Sequence, residues 1–171
     1  MDSLKAKIRD IPDFPKPGVV FKDITPLLAD GPSFRTLTEA LARRFADRKV
    51  DVVVGVEARG FIIGSAVAYV LGAGIVLIRK KGKLPYKTHK AIYQLEYGTD
   101  TLEIHEDAIR PGQRVLIVDD LLATGGTVCA AIDLVNKLGG TVVGVGFLVE
   151  LTFLKGREKL HEHEVFALLQ F

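Results

Sequence analysis

Residues 114–138 read RVLIVDDLLATGGTVCAAIDLVNKL, and the fold class follows from this stretch. The apolar run Val115 to Val118 shows no alternation, which suits a parallel strand covered on both faces. It stops at two adjacent carboxylates, Asp119 and Asp120, where the strand is expected to surface at its carboxyl end. Ala123-Thr124-Gly125-Gly126-Thr127 follows, small residues whose backbone wraps closely round a ligand. Then Ile132, Val135 and Leu138 recur on one helical face. The loop end of such a strand–loop–helix unit attracts anions, because its first N–H groups lack intrahelical partners and the helix dipole points there. A phosphate fits. The carboxylates just upstream repel a second phosphate but accept hydrogen bonds from a vicinal diol. Phosphate at one end and diol at the other describe a ribose 5-phosphate.

Working outward, a second unit of the same kind lies upstream. Val52 to Val56 reads as a strand and runs into Glu57-Ala58-Arg59-Gly60-Phe61, after which Phe61 to Leu71 is a helix apolar enough to be mostly buried. If the two strands are parallel, Arg59 sits on the same carboxyl edge as Asp119, where ligand sites of open α/β sheets belong. A lone arginine in a loop is ordinarily a surface residue, but the paired turns favour a functional one. Ile75 to Ile78 reads as a third buried strand leading into Arg79-Lys80-Lys81-Gly82-Lys83-Leu84-Pro85. A charge run of this kind is usually a solvated face. Its place beside a phosphate loop favours a polyanion clamp, with Arg79 and Lys83 on a diphosphate.

Elsewhere the signals are softer. Ser3 suits a cap for a short amphipathic helix with Leu4, Ile8 and Ile11 on one side, a face that must dock on something, such as a partner subunit. Pro12, Pro15, Pro17 and Pro26 exclude a helix or a central strand around Gly18-Val19-Val20-Phe21, so an ordered loop is expected. The Phe21 ring suits stacking on a flat base and packing on the domain equally well. Ser33 is expected to start a helix that buries Phe34, Leu37, Leu41 and Phe45, ending in solvent at Asp47-Arg48-Lys49. Ala91 to Tyr97 alternates, as do Leu102 and Ile104 after Gly98-Thr99-Asp100, which predicts a hairpin outside the main sheet. Thr141 to Val149 and Val165 to Phe171 read as further strands, with a short charged helix or turn over Phe153 to Leu160 between them. His161 and His163 would share one face of a strand, yet no third ligand accompanies them, so no metal site is expected.

A chain of 171 residues and 18.7 kDa is most simply one domain with a sizeable core, here 1–171, subdivided into an amino-terminal segment 1–32 and a hood 82–105. A net charge of +2 is too mild to argue for nucleic acid. A single cysteine, Cys129, forms no intrachain disulfide and is read as a small buried apolar residue in a reducing, cytoplasmic compartment. The charged amino terminus is unlike a signal peptide, and no apolar run is long enough for a membrane span.

The stretch VLIVDDLLATGGT resembles the phosphoribosyl diphosphate motif of the type I phosphoribosyltransferases, in the version carried by their adenine-specific members. EARGF, PGVVFxD, LEYG and FLKGREKL resemble segments of the same family, from about Pro12 onward. The resemblance implies an α/β fold with a mainly parallel sheet, helices on both faces and a β-hairpin hood. It implies transfer of the phosphoribosyl group of phosphoribosyl diphosphate to adenine, giving AMP and diphosphate, with Mg2+ carried on the diphosphate, in a homodimer. By the same resemblance Asp119, Asp120, Ala123, Thr124, Gly125, Gly126 and Thr127 hold the ribose 5-phosphate, and Arg59, Arg79, Lys80, Lys83 and Tyr97 the diphosphate. Val20, Phe21, Lys22 and Leu151 line the adenine site, and Glu96 meets the purine N7, with Arg59 and Glu96 catalytic. Lys22 stands where the family usually has Arg, which questions any side-chain role there. Ala123 stands where hypoxanthine-guanine enzymes carry an Asp that serves N7, so the proton must be handled elsewhere.

Two other functional classes fit the sequence less well. A nucleic-acid-binding regulator on the same fold needs an added basic or winged-helix segment, for which the chain has no spare length. A nucleotide hydrolase using LIVDD as a magnesium-binding strand end lacks the partner motif G-x-x-x-x-G-K-[ST].

Overall fold

A computed structural model of the chain describes residues 1–94 and 99–171. In chain order its elements are α1 (Asp2–Lys5), β1 (Arg9–Ile11), β2 (Phe21–Asp23), α2 (Thr25–Ala29), α3 (Gly31–Arg44), β3 (Val52–Val56), α4 (Arg59–Leu71), β4 (Gly74–Lys80), β5 (Thr88–Gln94), β6 (Thr99–His105), β7 (Arg114–Leu122), α5 (Gly126–Lys137), β8 (Thr141–Glu150) and β9 (Val165–Gln170). Short 3-10 turns cover Ala46–Arg48, Thr152–Leu154 and Gly156–Leu160. Among the described residues one sheet has the order β5-β6-β4-β3-β7-β8-β9, and β1 and β2 form a separate antiparallel pair. The run from β4 to β9 is parallel throughout. This is the expected α/β architecture.

Alternate residues of the central strands feed two cores. Val53, Leu116 and Val118 face α3 and α4 and join Leu37, Leu41, Phe45, Ile63 and Val67. Val52, Val54, Val56, Val115 and Ile117 face the other way and pack with Ile132, Leu134 and Val135 of α5. Strands covered on both faces have no reason to alternate in hydrophobicity, which is why β3 and β7 read as unbroken apolar runs.

Chain direction positions the site. From β3 the chain passes through α4 to β4 on one side; from β7 it passes through α5 to β8 on the other. The order therefore reverses between the neighbours β3 and β7, and a crevice opens at their carboxyl ends.

Several expectations change. β7 does not stop at Asp119: Leu121 and Leu122 go on pairing with Val149 and Glu150, so the acid pair is buried within the strand instead of surfacing at its end. α3 starts at Gly31, because the Asp30 carboxylate accepts the Ser33 N–H at 3.0 Å and Pro32 needs no partner in a first turn. α1 is only one turn long with no side-chain cap, and Ile11 lies in β1 opposite Phe21. The proline-rich segment is not all loop, since Phe21–Asp23 pairs with β1 and Pro26 opens α2. α4 is not mostly buried: Ile62, Tyr69 and Val70 are exposed, as are Ile75 and Leu77 on one face of β4. Nor is the hairpin outside the main sheet. It begins at Thr88, and β6 pairs with the end of β4 through Arg79↔Glu103 and Lys80↔Leu102. His161 and His163 fall in a turn, not on a strand. No helix among the described residues is long and apolar enough to cross a membrane.

Phe45 is fully buried and meets Phe166 of β9 edge-on at 6.4 Å, joining the end of α3 to the sheet edge. Phe45→Ala is expected to cost about 3–5 kcal/mol, with an unchanged urea m-value; a loss below about 1 kcal/mol would show that α3 is anchored elsewhere.

Candidate active site

Asp119 and Asp120 are the chemical centre of the crevice, at 9% and 7% exposure. Asp119 Oδ1 accepts the N–H of Asp120 at 2.8 Å. Arg59, the first residue of α4, reaches across from the neighbouring strand–helix turn and puts Nε 2.7 Å from Asp120 Oδ2. Its guanidinium also lies 5.0 Å from the centroid of Phe21. Gly60 makes room for this arrangement, because a Cβ there would sit 2.6 Å from Asp119 Oδ1. Burial pushes Asp119 well above the ordinary carboxylate range, and the charge of Asp120 adds to the shift. Burial raises Asp120 as well, opposed by the Arg59 charge. One guanidinium thus compensates two buried acids incompletely.

The loop behind the pair forms as its composition requires. Gly125 adopts φ +82° and caps α5 without any side-chain hydrogen bond, leaving the first helical N–H groups open. Asp119, residues 121–128 and Phe147 enclose a cavity of about 60 Å³ at this terminus. α4 likewise starts with no side-chain cap. Ala58 and Arg59 at one helix start and Ala123 and Thr127 at the other border a second cavity of about 230 Å³, together with Asp119, Asp120 and Lys80. The positive ends of both helix dipoles therefore meet at one anion-sized space.

Arg79 and Lys80, like Arg59, have carboxylate partners. Arg79 donates from Nε to Glu57 Oε2 and from Nη1 to the Lys83 carbonyl, both at 3.2 Å. Lys80 Nζ lies 3.3 Å from Asp100, and its backbone N–H donates to Glu57 at 3.0 Å. Burial acts to raise Glu57, but the Lys80 N–H and Arg79 outweigh it and keep the carboxyl below its usual range. Tyr93 also borders the space, with its hydroxyl 3.4 Å from Asp100. The alternation of the hairpin identified Tyr93 as facing one way but gave no reason to put that face on the site.

A third, larger cavity of about 680 Å³ lies beside the amino-terminal pair of strands and brings together Val20, Lys22 and Leu151. Phe21 is not among its walls; it lies beneath Arg59 with Phe14 edge-on at 5.2 Å. Lys22 is turned to Asp10, at 2.6 Å, and its ammonium stands 4.3 Å from the Phe171 ring centroid. Sequence reasoning missed Asp10, Phe153 and Phe171 as walls of this cavity. Only the pairing of β1 with β2 and the closure of β9 on β8 bring them together, and no local pattern carries that information. Glu96 and Tyr97 lie outside the described residues.

A sheet whose switch point holds a glycine loop, an acid pair and a rank of cations has the makings of a sugar-phosphate-binding α/β enzyme. Residues 24–167 match the family model of the phosphoribosyl transferase domain. Over its full length the chain is 63% identical to the adenine phosphoribosyltransferase of Geobacter metallireducens, covering all of that protein. It is similar in structure to the adenine phosphoribosyltransferase of Thermoanaerobacter pseudethanolicus, at a TM-score of 0.97 and 54% identity, covering 99% of each chain. The Saccharomyces cerevisiae adenine phosphoribosyltransferase, solved with adenine and an imino-altritol bisphosphate, gives a TM-score of 0.93 at 43% identity over 98% of this chain and 97% of that one. The chain belongs to the phosphoribosyltransferase family, in its adenine phosphoribosyltransferase branch.

The acid pair sets a sign for stability. Its folded pKa values lie above the unfolded value near 3.8, so the stabilisation linked to protonation is complete below that value and is lost as pH rises through the folded ones. Asp119→Asn, which keeps the acceptor for the Asp120 N–H, is expected to raise the melting temperature at pH 7 and flatten its fall between acid and neutral pH. The same change should weaken ribose 5-phosphate binding roughly 10- to 100-fold by removing a charged hydrogen-bond acceptor. Thermal scans from pH 5 to 8 with calorimetric titration check both, and a lower melting temperature at pH 7 would refute the buried-charge account.

Proposed function

We propose that this protein transfers the 5-phosphoribosyl group of 5-phospho-α-D-ribose 1-diphosphate to adenine, giving AMP and diphosphate. The observation that carries the reading is the acid pair of β7 standing directly before the open N-terminus of α5, in a chain alike over its whole length to adenine phosphoribosyltransferases. Amides of residues 123–127 take the 5-phosphate, and Asp119 and Asp120 accept the ribose 2- and 3-hydroxyls. For the diol to reach Asp120, Arg59 must exchange that carboxylate for the incoming diphosphate. Arg79, Lys80, Lys83 and Tyr97 complete the diphosphate contacts.

The reaction breaks the bond from C1 to the diphosphate oxygen, which leaves with the electron pair, and forms the bond from C1 to adenine N9. Between these events C1 bears positive charge of oxocarbenium type. The acid pair favours that charge, while Arg59, Arg79 and Lys83 favour the charge growing on the leaving group. Losing one such contact typically costs about 2.7–4 kcal/mol of barrier. Magnesium, carried in on the diphosphate, suits a face supplied with carboxylate oxygens; when bound it offsets leaving-group charge. Val20, Phe21, Lys22 and Leu151 hold adenine, and Glu96 shares the proton at N7 as N9 attacks. Closure of the hood over residues 82–105 excludes water that would otherwise hydrolyse the sugar. We place the protein in the cytoplasm as a single 1–171 domain and as a homodimer. Its apolar contact surface is supplied by Ile62, Tyr69 and Val70 of α4 with Ile75 and Leu77 of β4, since Leu4 and Ile8 near the amino terminus are buried.

Steady-state assays with adenine, hypoxanthine, guanine and orotate should give turnover with adenine and kcat/KM at least about 100-fold lower with the others; no turnover with adenine defeats the proposal. Glu96→Gln should lower kcat by roughly 100-fold or more while leaving the KM for the sugar diphosphate nearly unchanged, and wild-type turnover would remove Glu96 from the mechanism. Sedimentation should give a dimer that Tyr69→Glu dissociates, and a wild-type monomer would refute the contact surface.

A further inference from the structure

We propose that Gly156 and Arg157, which touch none of the reacting groups, are positioning residues that set the sugar-phosphate loop. The proposal rests on the reading of residues 123–127 as the 5-phosphate grip. That loop is built of Ala, Thr and Gly, so it has almost no side chains with which to anchor itself, and its exactness must come from what it leans on. It leans on the 3-10 turn Gly156–Leu160. Gly156 is buried, and a Cβ placed on it would overlap the Ala123 carbonyl oxygen and come within 2.9 Å of the Gly125 nitrogen. From the other side, a Cβ on Gly125 would lie 2.7 Å from the Gly156 carbonyl oxygen. Backbone meets backbone with no side chain between, so the loop amides stand wherever this turn stands.

The turn is itself held by a charged clasp. Arg157 donates from Nε to Glu150 Oε1 at 2.9 Å and from Nη2 to Glu150 Oε2 at 2.5 Å, while Nη1 donates to the Val165 carbonyl at 2.8 Å. Gln170 adds a bond to the same Glu150 oxygen at 3.1 Å. Glu150 is 4% exposed and is paired in the sheet with Leu122 of β7 and Gln170 of β9. A planar guanidinium with all three nitrogens engaged fixes orientation as well as distance, which a lysine at the same place cannot do. The path runs from Glu150 at the carboxyl end of β8 and Val165 at the start of β9, through Arg157 to Gly156, and so to the amides at Gly125. Leu160 pins the far end of the turn in the core at 1% exposure.

A purely structural role would lower stability and scale down activity without choosing between substrates; a positioning role acts on the sugar phosphate alone. Gly156→Ala should raise the Kd for ribose 5-phosphate and the KM for the sugar diphosphate at least about tenfold, and change the KM for adenine by less than about twofold. Arg157→Lys, which keeps the charge and loses the fork, should move the same quantities the same way by roughly three- to tenfold. Calorimetric titration of ribose 5-phosphate and initial rates on each folded variant decide the matter. Wild-type affinity for ribose 5-phosphate in either variant, or equal weakening of both substrates, overturns the inference. Should Gly156→Ala fail to fold, Arg157→Lys decides by the same criteria. Wild-type protein that does not bind ribose 5-phosphate would overturn the loop reading itself, whereas wild-type binding with unaltered variants would overturn only the role given to the turn.

Discussion

Two adjacent carboxylates buried within a central strand, with one arginine to compensate them, are the constraint from which the rest of the site follows. Removing Asp119 and Asp120 from water costs several kcal/mol unless charge or hydrogen bonds replace the lost hydration. Arg59 supplies part of that replacement, at 2.7 Å from Asp120, and supplies it only because β3 and β7 are neighbours running the same way. On the proposed reading, the remainder falls to the hydroxyl donors of the bound sugar. A site with this unfinished compensation sacrifices stability for binding, as functional sites commonly do.

The same logic extends outward. Arg59, Arg79 and Lys80 are each pinned by a carboxylate, Asp120, Glu57 and Asp100 respectively. Pinned cations are pre-oriented, so a polyanion entering between two helix N-termini exchanges ion pairs without ordering long side chains from scratch. Phe21, beneath Arg59, places the β2 segment in contact with the residue that compensates the acid pair. Val20 and Lys22, the chain neighbours of Phe21, line the large cavity, so the segment that borders this cavity also carries the ring that meets Arg59 beside the acid pair.

What was legible in the chain was what local chemistry dictates. β3 appears at Val52–Val56 as its apolar run foretold, and the glycine-bearing loop opens α5 as its small residues required. Where neighbours decided, the reading slipped. Only pairing with β8 could carry β7 past the acids to Leu122, and only the meeting of β4 with β6 could tie the hairpin into the main sheet. The apolar sequence of α4 reads as mostly buried because composition records hydrophobicity and not what covers it. Phe171 and Gly156 escaped notice for a related reason, since each matters through a contact with a segment remote in sequence.

The seat of AMP is the most direct test of the acid pair and the loop that follows it. A crystal structure of the protein soaked with AMP is expected to show both ribose hydroxyls within roughly 3 Å of Asp119 and Asp120 oxygens, and the phosphate within the same reach of the amides of residues 123–127. AMP seated elsewhere, with Arg59 still bound to Asp120 and those amides turned to solvent, would contradict it.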